Sequence, residues 1–251
     1  MTLDLRNENE QFNLNPRFND KHINAATFNT RSAANKSASI AELISVNKLD
    51  LLALTEVWQQ SSNDVTLTRL IPPEYRCIDA ARTKKKSDGS TKRGGGIALI
   101  YRTSFKAKPI KFSIEPTTFE VIGANITYGI ANVFFIVVYR TRVINELFFF
   151  EFTTILETIA VYSCHICISG YLYIHVNDSK DINAIKFLEI LDYFGLTQPV
   201  QGSTHIKGHT LDLVITRSDH PPPVIRVELP QLTDHSVVHF HPTRKTTYSF
   251  F

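Results

Sequence analysis

Apolar residues occur along most of the chain in short runs that polar segments separate. The runs at 51–54 and 97–101 are short and are typical of buried β-strands. Longer segments with apolar positions at helical spacing predict helices at about 36–46, 145–162 and 181–194. The same pattern predicts further strands at 75–80, 111–114, 120–127, 133–139, 164–169, 210–216, 224–229 and 236–240.

The longest apolar stretch, residues 147–169, has two interpretations. It is long enough to cross a bilayer. However, it contains Glu151 and Glu157, and a carboxylate near the centre of a span costs about 2.5 to 3.5 kcal/mol on insertion scales. We therefore prefer a helix followed by a buried strand, and we expect no membrane partner.

Closely spaced strands that alternate with a few amphipathic helices indicate packed sheets with helices outside, which is an α/β sandwich. A chain of 251 residues with 43% hydrophobic and 20% charged residues is long enough to bury such a core. We expect one domain over 21–242, with a polar tail at 1–20 and a second tail at 243–251.

Charge and cysteine content limit the function classes only loosely. The net charge of +3 permits a polyanionic substrate without requiring one. Three cysteines are too few and odd in number for a disulfide framework, so we expect all three to be reduced. No basic segment leads into an apolar run at the amino end, which favours an intracellular protein.

Polar residues that follow or precede apolar strands are the best candidates for chemistry, because the strand fixes the backbone while the loop exposes the side chain. They are Asn29, Glu56, Tyr139, Asp212 and the pair Asp234 and His235. Each also has a structural interpretation when taken singly. The asparagine caps a segment, the glutamate ends a strand in solvent, and the tyrosine and histidine lie in a core.

Six ordered motifs connect these residues. They are LDLLALTEVWQQ at 49–60, RGGGIALIYR at 93–102, VVYR at 137–140, ISGYLYIHV at 168–176, GHTLDLVITR at 208–217 and TDHSVV at 233–238. Together they resemble the endonuclease/exonuclease/phosphatase superfamily of deoxyribonuclease-I-like enzymes, and are most similar to the endonuclease domain of LINE-type non-LTR retrotransposons. The resemblance extends from about residue 23 to residue 240. It implies a four-layered α/β sandwich, with two mixed or antiparallel sheets flanked by helices.

The resemblance also implies roles for the polar residues. Glu56, Asn29 and Asp234 complete or flank a site for Mg²⁺, or Mn²⁺ in its place, which suits the preference of hard ions for oxygen ligands. His235 acts at the phosphate, with Asp212 as the carboxylate that orients it. Tyr139 contacts the phosphate. The implied substrate is double-stranded DNA, and the implied location is the nucleus.

The chain departs from the family at one motif. Where the family has Gly-Asp-x-Asn, this sequence has Gly170-Tyr171-Leu172-Tyr173. A phenol with an ordinary pKa near 10 does not replace a carboxylate that activates water. We therefore expect little or no hydrolysis. Without the resemblance, the two tyrosines have a second interpretation, in which they continue the preceding strand with both side chains on one face.

A basic loop at 82–93 is the candidate DNA contact. Besides Arg82 it contains Lys84, Lys85, Lys86, Lys92 and Arg93. A solvated surface is the other interpretation of such a charge run. Two alternatives to a nuclease therefore stay open: a catalytically dead DNA-binding domain, and a decayed product that folds poorly. Retrotransposon endonucleases are normally followed by a reverse transcriptase, and we expect this domain to be detached from one.

Two further groups have the residue types of metal ligands. Cys164 and Cys167 have the spacing of a zinc knuckle, but no second pair at finger spacing accompanies them, so we expect buried strand cysteines. His205 and His209 flank a turn, where we expect exposed loop histidines rather than a metal pair.

Overall fold

The computed structural model describes residues 23–59, 61, 64–82, 94–129, 131–140 and 144–242. Its first sheet has six strands in the described residues: β1 (Ala25–Asn29), β2 (Leu51–Thr55), β3 (Tyr75–Ala80), β4 (Ile97–Arg102), β11 (Val224–Val227) and β12 (Val238–His241). Their order in the sheet is β11-β12-β1-β2-β4-β3. Only β1 and β2 are parallel neighbours in this order, so the sheet is mixed.

The second sheet also has six strands in the described part of the chain. They are β5 (Lys106–Pro109), β6 (Glu120–Tyr128), β7 (Ala131–Tyr139), β8 (His165–Tyr171), β9 (Leu196–Thr197) and β10 (Asp212–Arg217), in the order β5-β6-β7-β8-β10-β9. β7 and β8 run parallel, and the other neighbours run antiparallel. The parallel pair brings the carboxyl ends of β7 and β8 to one edge of the sheet.

Four α-helices lie in the described residues: α1 (Ser37–Val46), α2 (Val65–Leu70), α3 (Glu146–Ala160) and α4 (Ile182–Tyr193). Polar side chains begin three of them. The side chain of Asp64 accepts a hydrogen bond from Thr66 N–H at the start of α2. Asn145 and Asp181 accept equivalent bonds at the starts of α3 and α4. These contacts satisfy amide groups that have no partner within the helix.

Three apolar layers hold the elements together. Alternate residues of the central strands, such as Ala53 and Val137, meet between the two sheets. The other face of the first sheet packs on α1 and α2, with Leu52 against Ile40 and its neighbours. The other face of the second sheet packs on α3 and α4, where Phe152 is fully buried. The predicted α/β sandwich with helices outside two packed sheets is therefore confirmed.

The 147–169 stretch forms α3 and then β8, as expected. No helix in the described residues is long and apolar enough to cross a membrane. The predicted strand at 111–114 is wrong, because the edge strand that pairs with β6 is Lys106–Pro109. Ile110, Phe112 and Ile114 instead pack their half-buried side chains on the helix-side core from a loop. The sequence pattern also missed the short elements α2 and β9.

All three cysteines are free, as predicted. Cys167 is buried between the two sheets, whereas Cys164 packs on the helix-side core. The two side chains therefore lie on opposite sides of the second sheet and do not form a metal-binding pair.

Candidate functional site

The candidate polar residues meet at one rim of the sandwich. Asn29 ends β1, and Glu56 follows the parallel strand β2. Tyr139 ends β7 and lies opposite Tyr171, the last residue of β8. Asp212 begins β10, which runs antiparallel to β8, so it also pairs with Tyr171. The strand ends of both sheets therefore build one site.

Asn29 fixes the carboxylate of Glu56. Its Nδ2 donates a hydrogen bond to Glu56 Oε1 at 2.9 Å. The second oxygen, Oε2, lies 3.4 Å from Trp58 Nε1. The backbone of Glu56 has φ of 54°, an unusual value for a residue with a side chain. Its carbonyl accepts hydrogen bonds from Ser32 N–H at 2.8 Å and from Thr30 Oγ1 at 2.9 Å, which stabilise this conformation.

His235 and Asp212 form a buried pair. His235 Nδ1 lies 2.8 Å from Asp212 Oδ2, and the two residues are 3% and 1% exposed. Burial lowers the pKa of His235, but the hydrogen bond and charge of Asp212, together with the charges of Asp234 and Glu56, outweigh it and raise the pKa above its ordinary value. Thr204 Oγ1 accepts hydrogen bonds from Asp212 N–H and Leu211 N–H at 2.9 Å, which fixes the start of β10.

Asp234 lies at the centre of a second set of contacts. Its Oδ2 forms an ion pair with Arg31 and lies 3.2 Å from His205 Nε2. Its Oδ1 is buried without a hydrogen-bond partner among the described residues, 3.9 Å from His235 Nε2. The expectation that His205 is an exposed loop histidine is therefore wrong. Its side chain is 11% exposed, because it packs edge-on against the His235 ring at 4.7 Å.

The tyrosines of the altered motif occupy the middle of the site. The Tyr171 ring is 7% exposed, stacks on Tyr139 at 6.0 Å between centroids, and meets the His235 ring edge-on at 5.0 Å. Burial, with the negative charges of Asp212 and Glu56 behind it, raises the pKa of Tyr171 above its ordinary value. The phenol is therefore neutral at physiological pH, and it lacks the charge of a carboxylate.

The second tyrosine leaves the strand. β8 ends at Tyr171, and Tyr173 has φ of 53° and is 44% exposed. The two side chains therefore do not continue a strand, which removes that interpretation of the motif. Arg140 stabilises the turn that follows β8. Its Nε donates a hydrogen bond to the Leu172 carbonyl at 2.9 Å, and its Nη2 donates one to the Tyr173 carbonyl at 3.0 Å.

Five of the predicted DNA-contact residues fall outside the described part of the chain: Lys84, Lys85, Lys86, Lys92 and Arg93. Arg82, at the border of that loop, forms an ion pair with Glu120 and lies 5.3 Å from the Tyr139 ring. Sequence reasoning assigned no role to Arg31 and gave His205 only a surface one. Both residues lie close to site motifs in the sequence: Arg31 comes two residues after Asn29, and His205 seven residues before Asp212. This proximity is the signal that could have identified them.

A family model described as Endonuclease/Exonuclease/phosphatase family matches residues 26–184. The match includes Asn29, Glu56, Tyr139 and the altered motif, and it ends before Asp212 and His235. A comparison of the sequence with curated proteins finds no match.

Solved structures share the fold. The endonuclease domain of TRAS1, a telomere-specific non-LTR retrotransposon, superposes with a TM-score of 0.64 at 12% identity, over 88% of this chain and 98% of that one. The human Nocturnin catalytic domain with bound sulfate anion gives 0.61 at 18% identity, over 88% and 94%. The 3′ phosphatase NExo from Neisseria, bound to a product DNA hairpin, gives 0.63 at 16% identity, over 88% and 100%. Because the family model matches more than half of the sequence, this chain belongs to the endonuclease/exonuclease/phosphatase family.

Proposed function

We propose that this protein is a retrotransposon-derived DNA endonuclease domain of the Mg²⁺-dependent phosphodiester hydrolase type, and that its hydrolytic activity is strongly reduced. The observation that carries the proposal is the position of Tyr171. A buried neutral phenol stacks between Tyr139 and His235, where the family motif has an aspartate. The rest of the rim keeps oxygen ligands and an oriented histidine around that position.

The donor set suits a hard divalent ion. Glu56 offers a carboxylate that Asn29 orients, and Asp234 has a buried oxygen without a hydrogen-bond partner in the described part of the chain. Mg²⁺ prefers such oxygen ligands, and Mn²⁺ takes the same set. When bound, the ion neutralises the charge that develops on the phosphate. We infer that Glu56 and Asp234 hold the ion and that Asn29 keeps Glu56 in place.

His235 supplies the proton chemistry in this proposal. Asp212 binds its Nδ1, so Nε2 is the atom that points towards Asp234 and the site. The pKa of His235 is raised above its ordinary value, against the effect of burial and mainly through Asp212, and in this proposal the residue donates a proton to phosphate oxygen or to the leaving group. Tyr139 lies beside this position and offers its hydroxyl to the phosphate.

The step that fails is the activation of water. A general base typically contributes about 10² to 10⁴-fold in rate, and its conjugate acid works best with a pKa near the operating pH. Tyr171 has its pKa raised from a value that is already high, so it takes no proton from water at neutral pH. The exposed Tyr173 offers a phenol where the family asparagine offers an amide.

We infer that the substrate class is double-stranded DNA bound through its phosphates, and that Lys84, Lys85, Lys86, Lys92 and Arg93 contribute to it. TRAS1 and the DNA-bound 3′ phosphatase share this fold, which supports the inference. Such contacts release counterions, so DNA affinity should fall steeply as salt concentration rises.

The test is a plasmid-nicking assay in Mg²⁺ with wild-type protein and a Tyr171→Asp, Tyr173→Asn double variant. We expect the double variant to nick DNA at least about 10²-fold faster, from the usual contribution of a general base. Adding Glu56→Gln to the double variant should abolish the gain, because that change removes a metal ligand. Equal rates in wild type and double variant would refute the impairment. A folded double variant without Mg²⁺-dependent nicking would refute the proposed chemistry.

A further inference from the structure

Two imidazoles and one carboxylate converge beside the proposed magnesium ligands. His205, Asp234 and His235 each offer one ligand atom, and these atoms all lie within 4.8 Å of one another. His205 and His235 also form an isolated backbone bridge, which fixes the spacing of their side chains. Two nitrogen donors and one oxygen donor are typical ligands of zinc sites and unusual ligands for magnesium.

His235 is already oriented as a metal ligand. Zinc-bound histidines usually donate their second ring N–H to a carboxylate, which fixes the tautomer and the ring position. Asp212 accepts this bond from Nδ1 at 2.8 Å, so Nε2 is left as the donor atom facing the cluster. The residue is 3% exposed, and burial keeps the ring in this orientation.

Asp234 supplies the oxygen ligand. Its Oδ1 is buried without a hydrogen-bond partner among the described residues, which is costly unless a cation or water occupies the space beside it. Its Oδ2 is paired with Arg31, whose side chain is 55% exposed. An exposed ion pair contributes little stability, so Arg31 leaves readily when a metal ion arrives.

His205 binds through Nε2, the atom 3.2 Å from Asp234 Oδ2. Its Nδ1 accepts a hydrogen bond from Lys207 N–H at 3.2 Å. Metal binding at Nε2 shifts the ring proton to Nδ1, so this bond is given up. This hydrogen bond is exposed to solvent, so a water molecule can accept from the Lys207 backbone N–H in place of His205 Nδ1.

We propose that His205, Asp234 and His235 bind one Zn²⁺ ion, with a fourth position open to water. The inference goes beyond the proposed function, because it requires neither DNA nor hydrolysis. Since both proposals use Asp234 and the Nε2 atom of His235, Zn²⁺ at the three-residue site should compete with a hard ion held by Glu56 and should exclude a proton from His235 Nε2. Imidazole ligands favour zinc over magnesium, so excess Mg²⁺ should not displace it.

The proposal is tested by titrating the metal-free full chain with Co²⁺, whose visible absorption distinguishes four-coordinate from six-coordinate sites, and then with Zn²⁺ as competitor. We expect a four-coordinate Co²⁺ spectrum with one ion per chain, lost on addition of Zn²⁺ and unchanged by Mg²⁺. Asp212→Asn should weaken Zn²⁺ binding by about 10 to 100-fold, as for other residues that orient a histidine ligand. His205→Ala should weaken it further, because that change removes a ligand.

Matched controls separate this site from incidental binding. His209→Ala removes a neighbouring histidine that packs on His175 at 4.4 Å, and Cys164→Ser removes a partly exposed thiol. Both should bind Zn²⁺ as the wild type does. Far-UV circular dichroism checks that each variant folds, and Asp234→Asn tests the same site without removing a ring. Unchanged affinity in folded His205→Ala, or displacement of Co²⁺ by Mg²⁺, would overturn the proposal.

Discussion

Gly170→Ala tests how much the stability of the fold depends on the close approach of two backbones near the end of β8. Gly170 has φ of 134° and pairs with Val138 of β7. A Cβ at this position would lie 2.1 Å from the Val138 carbonyl oxygen. Because that oxygen belongs to the backbone, a change of side-chain rotamer does not relieve the clash. The strained backbone costs about 1 to 3 kcal/mol and overpacking about 1 to 3 kcal/mol more. We therefore expect a loss of about 4 kcal/mol in the free energy of unfolding.

Urea denaturation followed by circular dichroism measures this loss. For a domain of this size, about 4 kcal/mol lowers Tm by about 8 to 16 °C. Gly202→Ala is the matched control, because Gly202 has φ of 83° but no atom within 4 Å of the added Cβ. It should lose only about 1 to 2 kcal/mol from backbone strain. Equal losses in the two variants would show that the contact with Val138 does not matter.

Three other variants, one of them a control, test what stabilises the site and its scaffold. Burial alone raises the pKa of Glu151, but hydrogen bonds from Thr117 and Thr118 outweigh it and hold the pKa below its ordinary value. The stability that this carboxylate contributes is present above its unfolded pKa of about 4.3 and is lost as pH falls through the folded pKa. Glu151→Gln should therefore be less stable than the wild type at pH 7. Its stability, measured by urea denaturation, should also depend less on pH in the acid range. Arg140→Met should lower the free energy of unfolding by about 3 kcal/mol in the same assay, because it removes two charged hydrogen bonds. The control Arg102→Met breaks a partly exposed ion pair with Asp50 and should lower it by at most about 1 kcal/mol. A flat pH profile in the wild type, or equal losses in the two arginine variants, would contradict these expectations.

The layers of the fold were predictable because burial on both faces leaves near-continuous apolar runs in the central strands. At the edge of the second sheet this signal fails. Lys106–Pro109 is polar and, among the described strands, pairs with β6 alone, while the more apolar segment 111–114 covers the core with its side chains from a loop. The pattern of apolar side chains therefore predicts which residues are buried. It does not predict which segment forms backbone hydrogen bonds at the edge of a sheet.

At the site, strand ends and the family resemblance pointed to Asn29, Glu56, Asp212 and His235, and the structure places them at one rim. The contacts of Asp234 were beyond sequence reasoning. Arg31 is 203 residues away along the chain, and His205 is 29 residues away. No local pattern encodes such a contact, because it depends on how β1, β12 and the loop before β10 come together.

The structure also explains how the altered motif is compatible with the fold. The backbone of the turn is held by Arg140 on the carbonyls of Leu172 and Tyr173, and by the Leu172 N–H on the Leu211 carbonyl at 3.1 Å. None of these contacts uses the side chains at 171 and 173. The Tyr171 ring fills its place by stacking on Tyr139, and Tyr173 extends towards solvent. Because the turn is held through backbone atoms, the side chains at 171 and 173 can differ while the sandwich keeps its shape. The same separation is why the Tyr171→Asp, Tyr173→Asn double variant should stay folded, so that any gain in nicking would report the proposed chemistry rather than a change in stability.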